Sequence, residues 1–209
     1  NQGRVAESFQ TLDHGQRVDP FNPGILVGRE YVLVLLGRYR EAIEASKRIF
    51  EIEPETQQGY VNLGEAYLML GKADSAVMAL EHAARIDSIG FGIRPLLAFA
   101  YAGAGRWSDV DRLKAMAERE TLGNSPDYNR AMFASIVGDV DAGAAAYARG
   151  IERREPLFLS ISPCEPILGA IRSRPAFVAA VASFGGVACP TAGPWPVRPR
   201  AHAASQRGQ

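Results

Sequence analysis

A glycine followed by a basic residue recurs along this chain at Gly3-Arg4, Gly37-Arg38, Gly71-Lys72 and Gly105-Arg106, each step 34 residues, and Gly138-Asp139 follows after 33. Proline keeps the same step: Pro20 and Pro54 are 34 apart, Ser88 takes the next equivalent place, and Pro156 closes the last copy one residue out of phase. A fixed period of this size belongs to a supersecondary unit that cannot bury its apolar face alone and must stack on copies of itself. Between the glycines the apolar residues fall at helical spacing, and glycine reaches without penalty the left-handed conformation that ends a helix. Each period therefore reads as two helices joined by a tight turn. The run Val32-Leu33-Val34-Leu35-Leu36 passes for a buried strand by composition, but its equivalents Leu68-Met69-Leu70 lie in a clear helical pattern, so no strand is expected.

The clearest copy runs from Gln57 to Gly90. Gly64 and Ala76 stand where its first helix (A) and second helix (B) cross, since only a small side chain lets two helix axes approach closely. Tyr60, Leu63, Tyr67 and Leu80 fill the space between helices, and Ala83 meets the next copy. Copy one, Pro23 to Thr56, puts Glu30 at the small position of helix A, and copy three, Phe91 to Gly123, has Val110 where Ala is expected. Copy four, Asn124 to Glu155, carries Gly143, Tyr147 and Gly150 in helix B. Glycine inside a helix costs about 1 kcal/mol relative to alanine, which makes this fourth pair the looser one. Helices are predicted at 4–17, 24–36, 39–52, 58–70, 73–87, 93–104, 107–120, 126–137, 140–154, 166–172 and 174–184. The organisation expected is 1–22 as the second half of a unit, 23–156 as four units and 157–186 as a capping segment. Residues 187–209, with four prolines and no apolar period, read as a disordered tail.

Tyr60-x2-Leu63-Gly64-x2-Tyr67 followed by Ala76-x3-Leu80 resembles the W-x2-L-G-x2-Y pattern of the tetratricopeptide repeat (TPR), with Tyr in place of Trp. The resemblance covers roughly 3–155. It implies an all-α TPR solenoid, a right-handed superhelix of antiparallel helix pairs with a C-terminal capping helix, that binds protein or peptide. A narrower likeness sits at the end: Pro166-Ile167-Leu168-x2-Ile171-Arg172-x2-Pro175-x-Phe177 resembles the ending of TPR arms in bacterial adenylate-cyclase-like and winged-helix regulatory proteins. It departs from that ending with Ala176 in place of Arg and Arg174 in place of Asp. This likeness implies the regulatory arm of a larger bacterial protein whose catalytic or DNA-binding domain lies elsewhere. Read from the residues alone, Ser173-Arg174-Pro175 starts a last helix whose Phe177, Val178, Val181 and Phe184 cover the open end of the stack.

Lys+Arg and Asp+Glu are equal at 23 each, so no net field gathers phosphate backbones or anionic lipid, and neither nucleic acid nor membrane is an expected partner. The longest apolar run, 25–36, is broken by Gly28, Arg29 and Glu30 and is too short to span a bilayer. The chain opens at Asn1 without an initiator Met or a leader, which reads as a fragment or a processed product. Cys164 and Cys189 are far apart and lack CxxC spacing, and read as reduced thiols of a cytoplasmic protein. His14, His82 and His202 have no HExxH partner, and Gly90-x-Gly92 and Gly103-x-Gly105 fall at repeat turns rather than after a strand. Glu41, Glu44, Asp109 and Asp111 sit at the starts of B helices, where the dipole favours acids, and Ser160, Ser162 and Cys164 have no base nearby. No metal, cofactor or catalytic residue is expected, and the chain reads as a binding module rather than an enzyme.

In a TPR stack the A helices line the concave groove. The register brings Val27, Tyr31, Val34 and Leu35 onto it from copy one, and Val61, Asn62, Glu65, Leu68 and Met69 from copy two. Phe99 comes from copy three, and Tyr128, Asn129, Met132 and Ile136 from copy four. The aliphatic residues divide between the groove and packing against neighbouring A helices, while Tyr31, Asn62, Phe99 and Tyr128 are the expected ligand anchors. With Asn62 the one donor of its kind in place and Glu65 an acid, the groove suits an apolar or aromatic-bearing segment and disfavours an acidic chaperone tail. The occupant would be a partner protein or an upstream domain of the same protein. The alternatives are a dimerisation or spacer arm that uses the convex face, and part of a nucleotide cyclase or other enzyme.

Overall fold

The computed structural model describes residues 2–87, 92–119, 125–160 and 163–185, without the side chains of 2–6 and 159–160. Within them the chain runs α1 (Gln2–Val18), α2 (Pro23–Leu35), α3 (Tyr39–Ile52), α4 (Gln57–Met69), α5 (Ala73–Ile86), α6 (Ile93–Gly103), α7 (Trp107–Arg119), α8 (Pro126–Val137), α9 (Val140–Glu152), α10 (Pro156–Ser160) and α11 (Pro175–Ser183). A 3-10 turn, Pro166–Ile171, precedes α11. No strand occurs among the described residues. Each predicted helix falls within two residues of its observed ends, except that 166–172 is the 3-10 turn instead of an α-helix, and α10 was not predicted. The tail reading for 187–209 lies outside the described residues.

The register of the turns is the sequence period made visible. Gly37, Gly71, Gly105 and Gly138 have φ of 74°, 70°, 74° and 83°. After each, the next amide donates back to a carbonyl five residues earlier: Arg38 to Leu33 at 2.9 Å, Lys72 to Tyr67 at 2.9 Å, Arg106 to Tyr101 at 2.8 Å and Asp139 to Ala134 at 2.9 Å. This closes the helix end by satisfying carbonyls that have no partner within the helix. A fifth turn of the same kind ends α9, where Glu155 donates to Gly150 at 3.0 Å, but the left-handed residue is Arg154, φ 54°.

The chain divides into two compact units, residues 1–106 and 107–209. In the first, α2 packs on α3, α3 on α4, α4 on α5 and α5 on α6, and the A helices α2, α4 and α6 also meet in sequence. At the α4/α5 crossing a Cβ on Gly64 would lie 2.5 Å from Leu80 Cγ, and Ala76 is fully buried. Gly64→Leu is expected to lower stability by about 1–3 kcal/mol through overpacking, and an unchanged urea midpoint would place the crossing elsewhere.

The second unit pairs α8 with α9, and its C-terminal elements close over that pair: the 3-10 turn packs on α8, and α11 on α9. Phe177 stacks on Tyr147 with ring centroids 4.2 Å apart, and Val181 and Ala180 are buried. Val178 and Phe184, expected in this cap, are exposed, because α11 turns only the face carrying Phe177, Ala180 and Val181 inward. The glycines of α9, which cost helix propensity, stand at points of close approach. A Cβ on Gly143 would lie 2.9 Å from Ile171 Cγ2, and one on Gly150 would lie 1.9 Å from Phe158 Cε2, so both glycines make room for capping residues.

Candidate functional site

Of the residues expected on the A-helix face, Tyr31 and Leu35 stand one helical turn apart on α2 and are 39% and 45% exposed. Val27 on the same helix, and Val61, Glu65, Leu68 and Met69 on α4, are half-buried. The two helices that carry these side chains, α2 and α4, are in contact. Phe99 is buried among the residues of α6 and does not present its ring to solvent.

Asn62 is the clearest correction. It is fully buried, and its amide nitrogen donates to Val27 O at 3.3 Å and to Glu30 Oε2 at 3.1 Å, while Gln58 Nε2 donates to Asn62 Oδ1 at 2.9 Å. The side chain staples α4 to α2 and has no donor left for a ligand. Its acceptor, Glu30, is also fully buried and meets Ser46 Oγ of α3, which in turn lies 3.0 Å from Ala42 O. Burial pushes the Glu30 carboxyl from 4.5 to about 7, against the lowering effect of Ser46 and Asn62. One hydroxyl proton cannot serve both Glu30 and Ala42. When ionised, Glu30 accepts from Ser46; in the neutral form favoured below about pH 7, Glu30 donates to Ser46 and frees the Ser46 hydroxyl for Ala42 O, with Glu30 Oε2 accepting from Asn62 in both.

Next to this network an aromatic column crosses three helices. Phe50 stacks on Tyr60 at 4.2 Å, and Tyr60 on His82 at 3.9 Å. Arg85 Nη2 lies 2.9 Å from His82 Nδ1, so this ring nitrogen accepts and the histidine is part of the packing. Among the described residues no group of three or more His, Cys, Asp or Glu side chains could hold a metal, and no helix is long and apolar enough to cross a membrane.

In the second unit Tyr128 and Met132 are buried, Tyr128 edge-on to Phe158 with centroids 5.3 Å apart. The capping elements that pack on α8 take the surface that the register had assigned to a ligand. Asn129 is half-buried and lies on a different surface from the one expected: it lines a cleft of about 220 Å³ between α7, α8 and α9, with Phe133, Arg130 and Arg149. At the start of α8 sits a charge cluster that the sequence did not announce. Asp127 is fully buried and receives Arg130 at 3.2 Å, Arg149 at 3.1 Å and Arg153 at 2.9 Å. Glu155 takes the amides of Asp127 and Tyr128, both at 3.1 Å, and so caps the helix with a carboxylate where the dipole favours one. Burial raises the Tyr147 hydroxyl to about 12.

Cys164 is disulfide-bonded, which overturns the reading of a reduced thiol there, and Cys189 lies outside the described residues. The beginning of the cap is tied by Arg172, whose guanidinium donates to the carbonyls of Cys164 and, at 2.6 Å, of Glu165. Burial raises the Glu165 carboxyl and lowers the Arg172 guanidinium.

Residues 57–89 match the tetratricopeptide-repeat family profile. Among curated proteins the chain is similar to an Hsp70-Hsp90 organizing protein of Triticum aestivum, 30% identical over 102 residues, which is 49% of this chain and 18% of the relative. It is also similar to a pentatricopeptide repeat-containing protein of Arabidopsis thaliana, 30% identical over 95 residues, 46% of this chain and 17% of the relative. The chain thus spans less than a fifth of the length of either. Among solved structures a thermophilic TPR protein of Thermus thermophilus superposes with a TM-score of 0.63 at 20% identity, covering 87% of this chain and 92% of that one. The helix pairs, the 34-residue register of left-handed glycines and this likeness make the fold an all-helical tetratricopeptide-repeat solenoid, with one repeat matched outright at residues 57–89.

Proposed function

We propose that this chain is a protein–protein interaction module whose A-helix face docks an apolar or aromatic-bearing segment of a partner. The observation that carries this reading is the exposed pair Tyr31 and Leu35, set beside half-buried Val27, Val61 and Met69 on packed helices α2 and α4. Aromatic and aliphatic anchors on a rigid scaffold are the groups that dominate recognition energies. The relative named as an Hsp70-Hsp90 organizing protein supports partner binding as the function. An acidic tail gains nothing on this face, because Asn62 is committed to Val27 and Glu30, and Glu65 repels it. The ending from Pro166 to Phe177 supports a further reading, a regulatory arm of a larger bacterial protein. Cys164 favours an oxidising compartment over the cytoplasm, since disulfides persist there.

The test is a calorimetric titration with extended and helical aromatic-bearing peptides. Tyr31→Ala combined with Leu35→Ala is expected to weaken binding by about tenfold or more, with the helical circular dichroism unchanged. Peptides that bind the parent and the double variant equally well would refute this face as the docking surface.

A further inference from the structure

On the other side of α2 from the A-helix face, helices α1, α2 and α3 enclose a cleft of about 410 Å³. It is lined by Arg29, Arg40 and Arg48, by Leu26 and Ala45, and by Glu41 and Glu44. Both glutamates are claimed by bases that do not line the cleft. Arg38 donates to both oxygens of Glu41, at 2.7 and 2.5 Å, and Lys47 donates to both oxygens of Glu44, at 2.9 and 2.8 Å. The three arginines have little comparable engagement. Arg29 Nε is buried without a hydrogen bond, while its guanidinium lies over the Phe9 ring, 5.0 Å from the centroid, pairs at 3.8 Å with Asp13 Oδ1, and helps hold the Glu41 carboxyl below its usual range. Arg48 reaches only Pro20 O, at 3.4 Å, with its guanidinium over the Phe21 ring. Arg40 makes no hydrogen bond or ion pair among the described residues. The recess thus sets three arginines, of which Arg40 is without a hydrogen bond or ion pair among the described residues, against two glutamates already neutralised by Arg38 and Lys47.

We propose that this cleft docks an acidic segment of a partner protein, with Asp or Glu carboxylates on Arg29, Arg40 and Arg48 and the intervening aliphatic atoms on Leu26 and Ala45. Guanidinium groups pair with carboxylates through two parallel charge-assisted hydrogen bonds, and a donor already desolvated, as in Arg29, loses little on pairing. Spaced carboxylates can avoid Glu41 and Glu44, whereas the unbroken charge of a nucleic-acid backbone would run past both. The surface is separate from the Tyr31 and Leu35 face, so the two readings stand or fall independently.

The experiment is fluorescence anisotropy with a fluorescein-labelled peptide of alternating Glu and Ala, run beside labelled oligothymidylate and competition by inorganic phosphate. Saturable binding of the peptide that weakens as salt rises is expected, with a loss of about tenfold or more in Arg40→Glu and complete loss in Arg40→Glu with Arg48→Glu. Arg40 makes no hydrogen bond or ion pair among the described residues, so its variant should keep the parent melting curve, and Tyr31→Ala with Leu35→Ala should bind the peptide as the parent does. The proposal is overturned if the peptide does not bind at low salt, or if Arg40→Glu binds it unchanged. It is equally overturned if oligothymidylate or inorganic phosphate occupies the same arginines as tightly as the peptide, which would make the cleft a phosphate site.

Discussion

At pH 8 the Glu30→Gln variant is more stable than the parent by about 3 kcal/mol, and at pH 5 the difference has shrunk to about 1 kcal/mol. The carboxyl of Glu30 sits near 4.5 in the unfolded chain and about 7 in the fold, with burial as the main cause. The folded state therefore holds a proton that the unfolded state has released across that interval. Stability is fully present below 4.5 and falls as pH rises toward about 7, after which the loss is constant. The amide introduced by the substitution has the shape of the neutral acid: its nitrogen donates to Ser46 Oγ, its oxygen accepts from Asn62, and it has no proton to lose. Glu165, also raised by burial, contributes in the same direction and remains in the variant, so the pH dependence is reduced and not removed. Urea denaturation at the two pH values checks this. A stability difference of the same size at pH 5 and pH 8 would mean that Glu30 does not titrate in this interval.

Gly150→Ala lowers stability by about 1–3 kcal/mol, although helix propensity alone would raise it by about 1 kcal/mol. The opposite signs make the variant a clean discriminator. A methyl at this position would fall 1.9 Å from Phe158 Cε2, and Phe158 has little room to retreat because Tyr128 and Tyr147 meet it edge-on at 5.3 and 4.9 Å. Either α9 shifts or the ring leaves its site and uncovers Tyr147. Adding Phe158→Leu, which removes part of the ring, should return some of the loss, and the coupling between the two changes is the quantity to measure. A rise in the denaturation midpoint of Gly150→Ala would show that α9 and α10 do not approach as described.

The fold was legible because the period is written in residues whose conformation is restricted. A glycine every 34 positions that ends a helix is a local fact, and the structure returns it as four left-handed turns. Glu30 was visible as a misfit at the small position of helix A, yet its meaning needed the residue opposite. Ser46 occupies in copy one the place of Leu80 in copy two, 34 residues later, so one crossing is filled by Gly64 with Leu80 and the other by Glu30 with Ser46. That exchange of small and large partners could have been read from the register. The candidate site was less legible, because helical register gives a residue's direction and not what covers it. Asn62 stands at its register position on α4, but its side chain is buried against α2 and bonded to Val27 and Glu30. Tyr128 and Met132 are covered by capping elements that follow no repeat pattern, and the five-residue α10, led by a proline, is too short to show a period. The pairing state of Cys164 had no signal in the spacing of two distant cysteines.

The turn at Arg154 makes the same backbone hydrogen bond as the four that glycine makes, but a residue with a side chain stands at its left-handed position. Glycine holds the left-handed conformation without a Cβ penalty, whereas an arginine there costs about 1–2 kcal/mol. The residues on either side are the ones that reach α8: Arg153 pairs with Asp127, and Glu155 takes the amides of Asp127 and Tyr128. The backbone bend and the two contacts are thermodynamically linked, each present on condition of the other. The end of α9 thus owes its bend to what it touches on α8, where the other four turns owe theirs to a single residue.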